Sequence, residues 1–333
     1  MKIGFFEIED WEKEYLKSRL KNHNLIFFKD VLDNKTTSAV KDADIISVFI
    51  YSKINKEILN KFKKLKAIIT RSTGFDHIDI PECKKKKIKV YNVPHYGENT
   101  VAEHTFALLL DLSRKIHESY NRTIRGNFSL EGLRGFDLKN KTLGVIGLGS
   151  IGIHVARIAK GFEMNILACD VKKDKKIEKK FDLRYVSLND LLKNSDIISL
   201  HCPYNKYTHH LLNSKNIKLI KKGAYLINTA RGGLIETRAL VKALLNKQLG
   251  GAGLDVLEEE SLIKEEAQLL SKNFSKENLK NLLQNHLLLI FDNVIITPHN
   301  AFNSEEALKR ILDTSLNNIE SVSKNKSSQN IVK

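Results

Sequence analysis

The hydrophobic and polar positions of the chain alternate between two patterns. Short apolar runs such as KIGFFEI, ADIISVFI and KAIITRS are typical of buried strands, and the segments WEKEYLKSRLKNH and KEILNKFKKL have helical spacing. NLIFF and IKVYNV add two further strands. Strands that are separated by helices need crossover connections and form a parallel sheet, so this part of the chain predicts one α/β unit.

A second series of the same kind starts at TLGVIG. The strands NILACD, DIISLHCP, YLINTA, GAGLDV and NVIITPH alternate with helices such as SIGIHVARIAKGF and TRALVKALLNKQ. A long apolar-rich helix, NTVAEHTFALLLDLSRKIHESYNRTI, begins at Asn99 between the two series, and SEEALKRILDTSLNNIESVS predicts a final helix that packs back on the first unit. We therefore predict two doubly wound parallel-sheet domains with a cleft between them, 1–98 with 300–333 and 99–299.

Composition excludes several classes of protein. The chain has 333 residues, enough for two domains, and no apolar run approaches the roughly 18 residues that span a membrane. The acidic start MKIGFFEIEDWEKEY is unlike a secretory signal and leads us to expect a cytoplasmic protein. Three isolated cysteines in no zinc-binding spacing predict reduced thiols and no metal site.

The formal net charge of +16 would attract nucleic acid, an anionic membrane surface or an anionic small substrate. The lysines are scattered, and the densest run, Lys84 to Lys87, has no interleaved aromatic residues and no nucleic-acid-binding motif. A solvated surface is the better interpretation of that run. We therefore expect no nucleic-acid or membrane partner.

One glycine motif has the context of a dinucleotide-binding loop. Gly147, Gly149 and Gly152 follow the strand TLGVIG and open a helix, whose N-terminus can bind phosphates. Asp170 ends the next strand, where a carboxylate can bind both ribose hydroxyls and repel a 2′-phosphate. An aspartate after a strand can also be a simple cap, and Lys172 leaves some NADP tolerance open. The motif predicts NAD as the cofactor.

Three later segments each end a strand-like run with a polar residue: LINTARGG with Arg231, GLDVLEEE with Glu260 and IITPHNAF with His299. Arginine can hold a carboxylate through two parallel hydrogen bonds, and histidine can donate a proton near neutral pH. A carboxylate beside the imidazole would fix its tautomer. Each residue alone could be a surface ion pair or a loop residue, but together they suit reduction of a 2-oxo acid.

The whole chain resembles the D-isomer-specific 2-hydroxyacid dehydrogenase family. The motifs that carry this resemblance appear in family order: RSTGFDHIDI, NVPHYGENTVAEHTFALLL, LGVIGLGSIG, LHCPYNKYTHHLLN, INTARGGLIE, GLDVLEEE and ITPHNAF. The resemblance implies a flavodoxin-like substrate domain, a Rossmann NAD domain and a homodimer held largely by the helix from about Asn99. It also selects Glu260 over Glu258 and Glu259, because the family's glutamate lies five positions beyond the aspartate of GLDV.

The resemblance implies a role for each site residue. Arg231 would bind the substrate's carboxylate and carbonyl, His299 would be the acid/base and Glu260 its partner. The backbone around Thr73 and Gly74, with Tyr96, would face the substrate. Further residues are implied to contact the cofactor: Ser150, Ile151, Asp170, Cys202, Pro203, Thr208, Thr229, Ala230, Arg231 and Asp255.

The long connection between Glu260 and His299, with Tyr96 and an aromatic residue at Phe302, is similar to lactate-type members. The expected reaction is NAD-dependent reduction of pyruvate to D-lactate, and the reverse. His95-Tyr96-Gly97-Glu98 departs from the usual pattern of these members, so substrate size stays open. Two alternatives also stay open: a dehydrogenase for another 2-hydroxy acid or an anion such as phosphite, and an NAD-sensing, non-catalytic protein similar to the family's corepressors.

Overall fold

The structure is a computed structural model that describes residues 1–258, 276–326 and 328–332. These residues form two compact units, 1–96 with 304–333 and 97–303. Both units contain a parallel sheet with helices on its faces, so the predicted α/β class with two parallel-sheet domains is confirmed. The functional assignment of the two units, and the boundaries given to them above, stay a prediction.

The first unit contains a five-stranded sheet in the order β2-β1-β3-β4-β5. Its strands are β1 (Lys2–Phe5), β2 (Asn24–Phe27), β3 (Ile45–Val48), β4 (Ala67–Thr70) and β5 (Lys89–Tyr91). This is the flavodoxin-like order, in which successive strands are added on one side of β1 and then, from β3 onwards, on its other side. Strands β3 and β4 are buried along their whole length, as expected when helices cover both faces of a sheet.

Four helices belong to this unit: α1 (Asp10–Arg19), α2 (Lys56–Asn60), α3 (Ile80–Lys85) and, from the end of the chain, α11 (Glu305–Ser323). The last of them begins at Ser304, whose hydroxyl accepts a hydrogen bond from the backbone nitrogen of Ala307. It buries Leu312, Leu316 and Ile319 in the same apolar cluster as Ile3 and Phe5 of β1. The final helix therefore packs on the first unit, as the sequence predicts.

The second unit contains a seven-stranded parallel sheet in the order β12-β11-β10-β9-β6-β7-β8. Its strands are β6 (Thr142–Ile146), β7 (Asn165–Cys169), β8 (Leu183–Tyr185), β9 (Ile197–Leu200), β10 (Ala224–Asn228), β11 (Leu249–Leu254) and β12 (Val294–Ile296). Read from β8, this is the Rossmann order with one added strand. The strand order reverses between the parallel strands β6 and β9. Open α/β sheets bind their ligands at such a point.

Seven α-helices lie in the described residues of the second unit, and apolar clusters form on both faces of the sheet. The helices are α4 (Glu98–Arg114), α5 (Ile116–Thr123), α6 (Ser150–Gly161), α7 (Lys175–Phe181), α8 (Leu188–Asn194), α9 (Thr237–Leu245) and α10 (Lys276–Leu289). Helix α4 buries Phe106, Leu109 and Leu112 in one cluster with Val155 of α6. Much of the apolar excess of α4 is therefore used inside its own unit.

Two predictions about this unit were wrong. The helix from Asn99 is broken at Lys115, which has a φ of +53° and closes the end of α4 through a hydrogen bond to the carbonyl of Asp111. The side chain of Asp111 then accepts from the backbone nitrogen of His117, the second residue of α5. The second error is an omission, since α7 and β8 were not predicted. Helix α7 is rich in lysine and β8 has three residues, so neither has a clear apolar period.

Candidate active site

The loop after β6 has the geometry of a phosphate-binding turn. Gly147 has a φ of +91°, and a Cβ there would lie 2.5 Å from the backbone nitrogen of Cys202. A Cβ at Gly152 would lie 2.1 Å from the carbonyl oxygen of Gly147. A Cβ at Gly149 would meet no protein atom within 4 Å. The backbone at Gly149 therefore faces open space beside the N-terminus of α6, which begins at Ser150, followed by Ile151. A pyrophosphate fits there.

Asp170 follows β7 and lies beside this loop. Its Oδ2 accepts a hydrogen bond from the backbone nitrogen of Leu148 over 2.6 Å, and its Oδ1 accepts from the nitrogen of Lys172 over 2.8 Å. The two contacts hold the carboxylate next to the glycine turn, at the ribose-binding position of dinucleotide folds. The side chains of Lys172 and Lys173 are exposed.

The segment after β9 forms the opposite wall of the glycine turn. The backbone nitrogen of His201 donates to the carbonyl of Ile146, the last residue of β6, over 2.8 Å. Burial raises the pKa of the Cys202 thiol to about 11, so the thiol is protonated at neutral pH. Thr208 donates to the carbonyl of Pro203 over 2.7 Å and closes the following loop. These residues shape the loop through neutral, short-range contacts.

Burial also lowers the pKa of His201 to about 3, and the ring is therefore neutral. Its Nε2 lies 2.7 Å from the hydroxyl of Ser199, while its buried Nδ1 has no hydrogen-bond partner among the residues that the structure describes. A buried nitrogen without a hydrogen-bond partner lowers the stability of the folded protein, so a polar neighbour at Nδ1 would be stabilising.

Arg231 follows β10 in a tightly bonded turn. The side-chain amide of Asn228 donates to the carbonyl of Arg231 over 3.0 Å, and its oxygen accepts from the nitrogen of Ala230 over 3.0 Å. One guanidinium nitrogen, Nη1, donates to the carbonyl of Ala230 over 2.8 Å. The hydroxyl of Thr229 lies 3.0 Å from that of Thr105 on α4. The backbone that carries the guanidinium is therefore fixed on both sides.

The turn that carries His299 is bonded to Asp255, which follows β11. Oδ1 of Asp255 accepts from the hydroxyl of Thr297 over 2.5 Å and from the nitrogen of Asn300 over 3.0 Å, and Oδ2 accepts from the nitrogen of Ala301 over 2.9 Å. The Asp255 side chain is 1% exposed. Burial alone would raise its pKa, but hydrogen bonds from His104, Thr297 and the two backbone nitrogens outweigh burial and lower it. Asp255 is therefore an internal anion.

His299 itself has a φ of +55°, a left-handed conformation that costs a residue with a side chain roughly 1 kcal/mol. Its backbone nitrogen donates to the carbonyl of Thr297 over 2.9 Å, so the chain reverses tightly around Pro298. Strained backbone of this kind persists only where surrounding contacts hold it. Here the carboxylate of Asp255 supplies those contacts on both sides of the histidine.

The structure brings some of the predicted site residues together and not others. The glycine turn, Asp170, Arg231 and His299 all lie at the carboxyl ends of strands of the seven-stranded sheet. Phe302 belongs to the same unit. Thr73, Gly74 and Tyr96 belong to the first unit.

The contacts of the first-unit candidates are local. The hydroxyl of Thr73 donates to the carbonyl of Val93 over 2.8 Å, and that of Ser72 donates to the carbonyl of Gly74 over 2.7 Å. The carbonyl of Tyr96 accepts from the guanidinium of Arg310 over 2.6 Å. These bonds fix the loop after β4 and the end of the segment after β5.

Glu260, the predicted partner of His299, lies outside the described residues. Its neighbour Glu258 is described, and it holds the hydroxyl of Thr237 at 2.7 Å and Nε2 of His210 at 2.6 Å. The described part of the chain has no cluster of three or more His, Cys, Asp or Glu side chains that could bind a metal ion. Among the described helices, none is long and apolar enough to cross a membrane.

Two polar residues near the site were missed from the sequence. His104 of α4 places Nε2 3.0 Å from the hydroxyl of Thr297 and 3.5 Å from Oδ1 of Asp255. Thr297 had no feature that distinguishes it from an ordinary strand-end threonine. The one available signal was a histidine within the apolar helix pattern, which needs a polar partner when it is partly buried.

A parallel sheet in Rossmann order with a glycine turn at its reversal point defines a dinucleotide-binding protein. Residues 106–301 match the family model described as the D-isomer specific 2-hydroxyacid dehydrogenase, NAD binding domain. The chain is 37% identical over 336 residues to a 2-hydroxyacid dehydrogenase homolog of Haemophilus influenzae, covering 100% of this chain and 99% of the relative. It is 35% identical to the D-lactate dehydrogenase of Escherichia coli, covering 99% of each.

Among solved structures, the D-lactate dehydrogenase of Aquifex aeolicus, complexed with NAD and lactic acid, superposes with a TM-score of 0.88 at 38% identity. The match covers 97% of this chain and 96% of that one. The chain therefore belongs to the D-isomer specific 2-hydroxyacid dehydrogenase family. It is an NAD-dependent oxidoreductase of 2-hydroxy acids, and the resemblance stated from the sequence motifs is confirmed.

Proposed function

We propose that this protein reduces pyruvate to D-lactate with NADH and catalyses the reverse reaction. The observation that carries the proposal is the His299 turn, held by Asp255 next to the strand end that leads to Arg231. The similarity to lactate dehydrogenases of Aquifex aeolicus and Escherichia coli over nearly the whole chain supports this choice of substrate.

In the proposed reaction the protein residues bind and protonate the 2-oxo acid. Arg231 holds the carboxylate and polarises the neighbouring carbonyl through its planar guanidinium. Glu260 stabilises the imidazolium form of His299, which donates a proton to the carbonyl oxygen and becomes neutral. NAD, when bound in its reduced form, supplies the hydride that the carbonyl carbon accepts. In the reverse direction His299 accepts the hydroxyl proton.

The cofactor is assigned to the carboxyl ends of the strands of the second sheet. Gly147, Gly149 and Gly152, with Ser150 and Ile151, form the turn and helix start that suit the pyrophosphate. Asp170 suits the ribose hydroxyls. Contacts from the strand ends and loops are proposed at Cys202, Pro203, Thr208, Thr229, Ala230 and Asp255. The buried carboxylate of Asp255 has four polar neighbours within the protein, so its proposed contact with the cofactor uses the backbone.

The substrate contacts are assigned by resemblance. Thr73 and Gly74 would contact the substrate through their backbone, and Tyr96 and Phe302 would border it. Thr73 and Tyr96 belong to the first unit, and Phe302 to the second. Substrate size is proposed to depend on Phe302 and on His95, and the chain departs from the lactate-type pattern at His95.

We also propose a homodimer, supported by exposed apolar side chains in one segment. Ile116, Tyr120 and Ile124 of α5 and its end are more than half exposed, and Phe128 and Leu130 of the following loop are 77% and 83% exposed. Such a concentration is typical of protein interfaces. Sedimentation equilibrium should give a dimer, and Phe128→Ser with Leu130→Ser should shift it to monomer. Leu245→Ser, at an exposed apolar residue of α9, should not. A monomeric wild-type protein would contradict this assignment.

A substrate panel tests the choice of pyruvate. NADH oxidation should be measured with pyruvate, 2-oxoisocaproate, phenylpyruvate, glyoxylate, hydroxypyruvate and 3-phosphohydroxypyruvate, and repeated with NADPH. The highest kcat/KM is expected for pyruvate with NADH. Preference for a bulkier acid would replace pyruvate in the proposal. No turnover with any acid despite tight NADH binding would overturn the enzymatic proposal and favour an NAD-sensing protein. Oxidation of phosphite with NAD would instead favour a dehydrogenase for that anion.

A further inference from the structure

Two consecutive residues of α4 contact the threonines that precede the proposed active-site residues. Nε2 of His104 lies 3.0 Å from the hydroxyl of Thr297, two positions before His299. The hydroxyl of Thr105 lies 3.0 Å from that of Thr229, two positions before Arg231. One helix therefore contacts both strand ends that carry the proposed chemistry.

The direction of the hydrogen bonds at His104 follows from the groups present. Asp255 is a carboxylate and can only accept, so the 2.5 Å contact from Thr297 uses the one hydrogen of that hydroxyl. The threonine oxygen must then accept from His104, which requires a hydrogen on Nε2. His104, Thr297 and Asp255 thus form a directed chain of donors.

The hydrogen bonds from His104 through Thr297 to Asp255 lead to the backbone around His299, the proposed proton donor. Asp255 accepts from Asn300 and Ala301, the two residues after His299, while Thr297 lies two residues before it. Loss of the His104 donor would remove the hydrogen bond that the Thr297 oxygen accepts, and it would remove a polar neighbour 3.5 Å from the carboxylate. The left-handed backbone of His299 would then be less firmly held.

The Thr105 contact has a direction too. Its hydroxyl donates to the carbonyl of Val101 in the preceding turn over 2.8 Å, so the contact with Thr229 must be donated by Thr229. Both hydroxyls are buried. Helix α4 is held close to the sheet here, because a Cβ at Gly253 of β11 would lie 3.0 Å from Cβ of Leu108. A side chain at position 253 would require Leu108 to shift by a few tenths of an ångström.

We propose that His104 and Thr105 are positioning residues, His104 for the proton donor His299 and Thr105 for the carboxylate-binding Arg231. The inference rests on the proposed function and adds to it two residues that do not touch the substrate. It predicts different kinetic effects at neighbouring positions. Loss of the His104 donor slows proton transfer and lowers kcat, whereas loss of the Thr105 hydroxyl weakens substrate binding and raises KM.

The experiment compares four variants with pyruvate and NADH. His104→Phe keeps a ring without a donor, and His104→Gln restores an N–H donor. Thr105→Val keeps the shape of threonine without its hydroxyl. Ser113→Ala is the matched control, since it removes the hydroxyl of a buried residue of the same helix, which donates to the carbonyl of Leu110 within that helix. The readouts are kcat, KM for pyruvate, the solvent deuterium isotope effect, the Kd of NADH and Tm.

His104→Phe should lower kcat roughly tenfold or more, because small displacements of a catalytic group are costly, and should increase the solvent isotope effect. His104→Gln should recover most of this loss. Thr105→Val should raise KM for pyruvate about tenfold with a smaller change in kcat. Ser113→Ala should resemble the wild type in both constants, and the Kd of NADH should stay unchanged throughout.

A wild-type kcat and isotope effect in His104→Phe would overturn the inference, as would a His104→Gln variant that is equally impaired at an unchanged Tm. Should His104→Phe fail to fold, Thr297→Val and Thr297→Ser decide: the first should lower kcat and the second should not. His299→Asn in the same assay separates the two levels. Full activity there contradicts the proposed function, whereas an inactive His299→Asn beside a normal His104→Phe contradicts only this inference.

Discussion

The backbone nitrogen of Ala301 donates to Oδ2 of Asp255 over 2.9 Å, which fastens the turn after His299 to the end of a neighbouring strand. The carboxylate accepts from a second nitrogen and from a hydroxyl of the same turn. A single buried anion therefore accepts hydrogen bonds from residues on both sides of His299. Catalytic groups need such support, because the geometry of proton transfer tolerates little displacement.

Replacing Asp255 by asparagine should lower the free energy of unfolding by roughly 3 kcal/mol, because a neutral amide oxygen is a weaker acceptor and its NH₂ faces N–H donors. Urea unfolding of the wild type and Asp255→Asn measures the difference. Asp292→Asn, at an exposed aspartate close to the same strands, is the control and should change stability by less than about 0.5 kcal/mol.

The same pair of proteins should differ in their response to acid. Hydrogen bonds hold the pKa of Asp255 below its ordinary value of 3.8 in the folded protein. The stabilisation is therefore present above that ordinary value and is lost as pH falls through the lower, folded pKa. The stability difference between wild type and Asp255→Asn should stay constant above about pH 5 and shrink below about pH 4. A constant difference down to pH 3 would contradict the assignment of charge.

Alanine at Gly147 should lower the stability of the protein, whereas alanine at Gly149 should weaken cofactor binding. Gly147→Ala places a Cβ 2.5 Å from a backbone nitrogen at a positive φ, and it should lower Tm of the protein without cofactor. Gly149→Ala meets no protein atom within 4 Å. It should leave that Tm unchanged and weaken NADH binding about tenfold or more, if the pyrophosphate lies against this backbone. Equal NADH affinity in Gly149→Ala and the wild type would move the pyrophosphate elsewhere.

Asp170→Asn tests how the protein distinguishes its cofactors. The amide oxygen can still accept from Leu148, while the negative charge that repels a 2′-phosphate is gone. The ratio of kcat/KM for NADH to that for NADPH should fall by about a factor of 10 or more. Asp182→Asn, an exposed aspartate after α7, should leave the ratio unchanged. An unaltered ratio in Asp170→Asn would transfer cofactor selection to other residues, with Lys172 and Lys173 next in position.

Arg231→Lys keeps the positive charge and removes the planar fork. KM for pyruvate should rise roughly 100-fold, because one ammonium cannot bind a carboxylate through two parallel bonds and polarise its neighbour. The Kd of NADH should change little. Arg238→Lys, on the exposed side of α9, is the control. A near-normal KM in Arg231→Lys would mean that another cation binds the carboxylate.

The elements of the fold that could be predicted are those with a clear pattern of apolar residues or glycines in the sequence. Buried parallel strands are continuous apolar runs, so β3, β4 and β9 were visible in the sequence, and the glycine loop was visible because its backbone excludes side chains. The break at Lys115 was not predictable, since lysine rarely adopts a positive φ and the apolar period continues across it. Helix α7 was missed because its solvated lysines obscure its buried Phe181.

The candidate site shows the same division. Residue types at strand ends made Arg231 and His299 candidates, and both follow strands of one parallel sheet, whose carboxyl ends lie along one side. The inward direction of the Asp255 carboxylate depends on residues 42 to 46 positions away, and the contact of His104 with Thr297 spans 193 positions. No local pattern carries such information, and only the packing of α4 against β11 brings these groups together.

His299 is the proposed acid/base of a 2-oxo acid reductase. The most direct measurement is kcat/KM for pyruvate reduction by NADH in the wild type and in His299→Asn, with the Kd of NADH and Tm measured on the same samples. If His299 transfers the proton, kcat/KM should fall at least about 100-fold in His299→Asn, with NADH affinity and Tm close to the wild-type values. Pyruvate turnover in His299→Asn within a few-fold of the wild type would contradict the account.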